Sequence, residues 1–112
     1  MAQLQLKEDN KLREQVKHIA ETLRTGHYKT DDECGPCASE YLKDALDIQY
    51  IISSDKQYLG ARVLVAFGGP NIWINTQTQT VEGYWWGDTC HISYLNDALG
   101  LDEYLEEFYN CI

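Results

Sequence analysis

The chain has 112 residues, 44% of them apolar, with eight Tyr, three Trp and two Phe; this is the length of one domain with a single modest core, and it excludes a disordered chain. The net charge of −9 is unevenly placed: residues 1–30 carry six basic side chains against four acidic ones, whereas residues 31–112 carry fourteen acidic ones against Lys43, Lys56 and Arg62. With no Lys or Arg after Arg62, the C-terminal half repels phosphate and anionic membrane, which sets the chain against direct nucleic-acid or membrane binding and in favour of a basic protein partner.

Residues 7–25 read as a helix. Leu12, Val16, Ile19 and Leu23 fall at i, i+4, i+7 and i+11, one apolar stripe at helical period, and Gly26 is placed to stop it. After a polar loop, residues 34–46 read as a second helix, with Pro36 in its first turn and Asp31, Asp32 and Glu33 beside its positive end. Its inward face would use Cys37, Tyr41, Leu42, Ala45 and Leu46.

From residue 47 the period becomes two. Strands are predicted at 47–53, 58–68, 71–76 and 80–86, with 89–93 as a short further edge. The tail from 94 to 110 returns to helical period through Leu95, Leu99 or Leu101, Tyr104, Leu105 and Phe108, with Gly100 breaking or kinking it and Asp102 available as a restart cap. The expected fold is therefore a single α+β domain over 1–112. An antiparallel sheet of three to four strands carries two N-terminal helices and one C-terminal helix, in the order α-α-β-β-β-β-α. No apolar run approaches the ~20 residues of a membrane span, and residues 1–30 lack the apolar core of a secretory signal. The expected location is cytoplasmic, where cysteines serve as free thiols, a redox pair or metal ligands.

Cys34-Gly35-Pro36-Cys37 holds two thiols within one turn at a helix start, an arrangement in which the helix N-terminus lowers the nucleophile's pKa and the second thiol resolves a mixed disulfide. The four residues resemble the thioredoxin active-site motif. That resemblance implies a thiol–disulfide oxidoreductase with Cys34 as nucleophile and Cys37 as resolver, and Pro70 as a candidate for the family's cis-proline. The flanking sequence departs from the family: thioredoxins carry a hydrophobic strand and a Trp before the first Cys, whereas "YKTDDE" is polar and anionic here. Three carboxylates disfavour a thiolate at Cys34. The plainer reading is a helix start with Cys37 facing the core. A metal site drawing on Cys34, Cys37 and either Cys90-His91 or Cys111 has poor spacing, because adjacent residues do not converge on one ion. No cofactor-binding motif is present.

In "VEGYWWGD" (81–88) strand alternation puts Trp85 with Gly83 on one face and Tyr84 with Trp86 on the other. At least one Trp then lies on the solvent side, beside Glu82 and Asp88, as in a protein-binding hot spot or a homodimer seam. "DEYLEEFYN" sets Asp102, Glu103, Glu106 and Glu107 at helical spacing, a row of carboxylates at ~5–6 Å intervals that approximates a phosphate row.

In size and texture, with "GGPNIWINT…GYWWGD" the most suggestive part, the chain resembles small acidic α+β proteins of phages and mobile elements, among them anti-CRISPR and antirestriction inhibitors. The resemblance implies a non-enzymatic inhibitor that imitates nucleic acid and occupies the basic channel of a host nuclease or effector. Its contacts would be Glu82, Asp88, Asp102, Glu103, Glu106 and Glu107, with Trp85 or Trp86 as apolar anchor.

Overall fold

The computed structural model describes residues 2–26 and 38–111, and the side chains of the first helix from residue 11 onward. The fold is α+β: an antiparallel sheet with helices packed on it. Helix α1 (Ala2–Thr25) and a single turn α2 (Ala38–Leu42) precede strands β1 (Asp47–Ile52), β2 (Tyr58–Ala66), β3 (Asn71–Asn75), β4 (Thr80–Trp85) and β5 (Asp88–Ser93), and α3 (Leu101–Asn110) follows. The sheet has five strands in the order β1-β2-β3-β4-β5, so each strand pairs with its neighbour in sequence. This corrects the expected three to four: residues 88–93 form a full strand whose Val81↔Ile92 and Gly83↔Cys90 pairs extend the ladder.

Alternation sorts the sheet into two unlike faces. Ala61, Val63, Ile72, Ile74 and Val81 point to one side and are fully buried there with Leu12, Val16, Leu23, Leu101 and Leu105. Helix α1 lies over β4 and β5, and α3 over β2, on that same side. Gly83 permits the approach of α1, since a Cβ there would collide with Val16 and Leu12. Burying roughly a dozen aliphatic side chains at about 1.5–3 kcal/mol each is what holds the two layers together. Among the described residues no helix covers the opposite face, which carries Arg62, Trp73, Glu82, Tyr84 and His91.

Helix α1 ends on identifiable chemistry. After α1, Gly26 takes φ +74°, and its N–H bonds Thr22 O at 2.7 Å. The 94–100 segment then satisfies two of the helix's terminal carbonyls: Ala98 N–H donates to Leu23 O and Asn96 Nδ2 to Arg24 O, each at 3.1 Å. This segment is a loop, not the first turns of the C-terminal helix. Helix α2 stops at Leu42 rather than 46, and Leu46, expected on its inward face, is exposed and bonds through its N–H to Leu64 O of the sheet. The peptide bond before Pro70 is trans, and Pro70 closes the β2–β3 turn. Among the described residues no helix is long and apolar enough to cross a membrane.

Candidate partner-binding surface

Helix α3 is positioned from its N-terminus. Gly100 takes φ +71° just before the helix, and the carboxylate of Asp97 accepts from both Leu101 N–H and Asp102 N–H, each at 2.9 Å. Asp97, three residues upstream of Gly100, thus performs the capping role expected of Asp102. Leu101 and Leu105 then enter the core, and Tyr109 closes the far end. Its ring lies 5.3 Å from that of Tyr50 and 6.0 Å from that of Tyr58, and its hydroxyl donates to Lys56 O.

With that anchoring fixed, the four carboxylates of α3 separate into two kinds. Asp102 is turned inward: Tyr58 Oη donates to it at 2.8 Å and Thr76 Oγ1 at 2.9 Å, so it is a structural acceptor. Its charge and the burial of the ring push the Tyr58 hydroxyl pKa up, burial being the larger cause. Glu103, Glu106 and Glu107 are exposed. They stand at i, i+3 and i+4, neighbours on one helical face at ~5–6 Å. The last turn of α3 holds no basic residue. Among the described residues the ion pairs are Lys43–Glu40 and Arg62–Glu82, and neither involves α3.

Glu82 does not belong to this surface. It is 8% exposed, at the centre of a cross-strand network on the sheet face that no described helix covers. Arg62 Nη2 donates to Oε1 at 3.1 Å, Asn75 Nδ2 to Oε2 at 3.2 Å and Tyr84 Oη to Oε1 at 2.9 Å. The guanidinium of Arg62 also stacks 4.4 Å over the Trp73 ring, and Tyr84 meets His91 edge-on at 5.7 Å. Burial pushes the Glu82 pKa up. The hydrogen bonds from Tyr84 and Asn75, with the charge of Arg62, outweigh it and hold the carboxyl below its ordinary value. The residue is a neutralised strut, so its expected role as a charge contact is withdrawn.

The Trp pair also divides. Trp85 sits at the end of β4 on the helix-covered face, half-buried against the core, which removes it as a surface anchor. Trp86 is 84% exposed in the two-residue turn to β5, where it and Gly87 take φ of +54° and +84°, the I′ pattern. Asp88 is exposed at the start of β5, beside Arg13 and Cys90 around a small surface cavity. From β5 to β2, beneath α3, is three strand spacings, roughly 14 Å. The eight candidate residues are therefore not brought together. Glu103, Glu106 and Glu107 form one patch, Trp86 and Asp88 mark a separate sheet end, and Glu82, Asp102 and Trp85 are structural.

No family model, curated protein or solved structure matches the chain. Cys34 and Cys37 lie outside the described residues. Cys90 pairs with Gly83 and His91 with Glu82, on opposite faces of β5, so the two do not converge on one ion. Among the described residues no three His, Cys, Asp or Glu side chains are grouped to hold a metal.

Proposed function

We propose that this protein is a small, non-enzymatic acidic binding protein that docks onto the cationic surface of a nucleic-acid-binding protein and competes there with the polyanion. The outward face of α3 supplies the charge. The observation that carries this reading is the placement of Glu103, Glu106 and Glu107 side by side on an exposed helical face without a cationic partner among the described residues. Such a row is unfavourable in the isolated fold. Like charges at i, i+3 and i+4 repel, and Glu107, in the last turn, also opposes the helix dipole, whereas Glu103 in the first turn is favoured by it. A basic surface removes both penalties on binding, and long-range attraction speeds the encounter. The general resemblance to phage and mobile-element inhibitors agrees with such a role.

The patch on α3 is local: of the six expected charge contacts, Glu103, Glu106 and Glu107 share one exposed helical face and Asp88 is exposed elsewhere. Capture of the partner on immobilised full-length protein, followed by titration at increasing salt and competition with DNA or RNA, tests the reading. Affinity should fall steeply with salt, nucleic acid should displace the protein, and the E103Q/E106Q/E107Q variant should bind about tenfold more weakly (about 1.4 kcal/mol). Salt-independent binding, or a triple variant that binds as the parent does, overturns it.

A further inference from the structure

Helix α3 borders a groove that the electrostatic reading leaves unused. Between α2, β1 and α3 the surface opens into a cavity of about 300 Å³ whose apolar wall is Leu42, Ile48, Tyr104, Leu105 and Phe108. Phe108 is 57% exposed although a helical period would bury it, and its ring rests against that of Tyr104 at 5.9 Å. Helix geometry makes Tyr104 and Phe108 one stripe, at i and i+4. Glu103 and Glu107, each one residue earlier, form the next stripe on the solvent side, and Glu106 stands beyond them. From the core outward the surface of α3 thus passes from Leu101 and Leu105 to Tyr104 and Phe108, then to carboxylates. On the opposite bank Lys43 is offset by Glu40, 3.1 Å away.

We infer that this groove receives an amphipathic basic helix of the partner protein. Apolar residues at helical spacing on that helix rest on Tyr104 and Phe108, and its flanking Lys or Arg side chains reach Glu103 and Glu107. Charge complementarity selects this occupant. A second copy of the chain would bring a net charge of −9 to an already anionic bank, and an acidic or neutral segment would leave Glu103 and Glu107 without a counter-charge. The inference rests on the proposal that the α3 carboxylates are the ionic contacts, and it assigns the apolar half of the same site.

Two fluorescently labelled synthetic peptides of identical Leu/Lys composition test it, one arranged with a continuous apolar helical stripe and one scrambled to have none. Each is titrated at low salt into the full chain, into Phe108→Ser and into E103Q/E106Q/E107Q, with circular dichroism confirming that both variants are folded. The striped peptide should bind the parent at least tenfold more tightly, shift amide resonances of α2, β1 and α3, and lose its advantage on Phe108→Ser while the scrambled peptide binds as before. Equal affinity of the two peptides for the parent, or a preference that survives Phe108→Ser, overturns the groove. An affinity of the striped peptide that is unchanged in the triple Gln variant sustains the groove and overturns the acidic contact on which the basic partner depends.

Discussion

Gly83 of β4 lies directly beneath Val16 of α1: a Cβ on the glycine would stand 2.5 Å from Val16 Cγ2 and 2.9 Å from Leu12 Cδ1. The contact sets how closely the first helix sits on the sheet. Gly83→Ala should destabilise the fold by about 1–3 kcal/mol through overpacking. Pairing it with Val16→Ala should recover part of the loss, giving a favourable coupling in a double-mutant cycle read by urea denaturation. Additive losses would show that α1 does not meet β4 as described.

Asp97 fixes the start of α3 by accepting from the N–H groups of Leu101 and Asp102. Asp97→Ala should lower stability by about 1 kcal/mol, as the loss of a helix cap does. It should also raise hydrogen exchange at residues 101–103 above that of α1. Because the capped helix carries Glu103, Glu106 and Glu107, partner affinity should fall too, although Asp97 itself touches no partner.

Glu82 links folding to pH. Its carboxyl titrates lower in the folded chain than in the unfolded one, so the unfolded chain binds the proton more readily over that interval. The network's stabilisation is then complete above the ordinary Glu range and is lost as pH falls through the depressed folded-state value. Urea midpoints for the parent and Glu82→Gln, compared from pH 7 to pH 3, should differ most near neutrality and converge on acidification. A gap that widens as pH falls would contradict the arrangement of Arg62, Asn75 and Tyr84 around it.

Glu107 stands in the last turn of α3, where the helix dipole disfavours it, and Glu106 and Glu107 are both repelled by Glu103. The E106Q/E107Q variant should gain a few tenths of a kcal/mol in stability, on the order of 0.5, while binding its basic partner more weakly. Opposite signs in the two measurements are the expected signature of charges kept for contact.

Trp86 occupies a turn position that favours Asn or Gly, with φ +54° and nearly all of its side chain in water. Trp86→Asn should raise stability by roughly 1 kcal/mol by relieving the left-handed conformation. Trp86 lies at the sheet end away from Glu103, Glu106 and Glu107, so partner capture should be unchanged by this substitution. Weakened capture would show that the binding surface extends to that end of the sheet.

The hairpins are legible in the sequence because each alternating run ends on turn residues, from Ser53 through Gly68-Gly69-Pro70 to Gln77-Thr78-Gln79. The fifth strand is read short because its turn is Trp86-Gly87, and a tryptophan does not signal a turn. Leu95 and Leu99 carry an apolar period back beyond the true start of α3; what ends it is the left-handed Gly100 with the carboxylate of Asp97. Phe108 fits a buried period but is exposed, because among the described residues its side of α3 faces the open groove between α2 and β1. Glu82 is the least legible of all. A charge in an alternating strand suggests solvent, and its neutralising partners, Arg62 and Asn75, become visible only with the sheet register.

The order of the sheet has a consequence for how the chain acquires its shape. Every strand joins the one synthesised just before it, so the ladder can close hairpin by hairpin with little loop entropy at each step. The first helix cannot do the same: Leu12 and Val16 wait for Gly83, some seventy residues downstream, before their apolar stripe is covered. The first helix, made before the strand that covers it, is thus among the last elements to find its seat, and that late docking is the step expected to govern the folding rate.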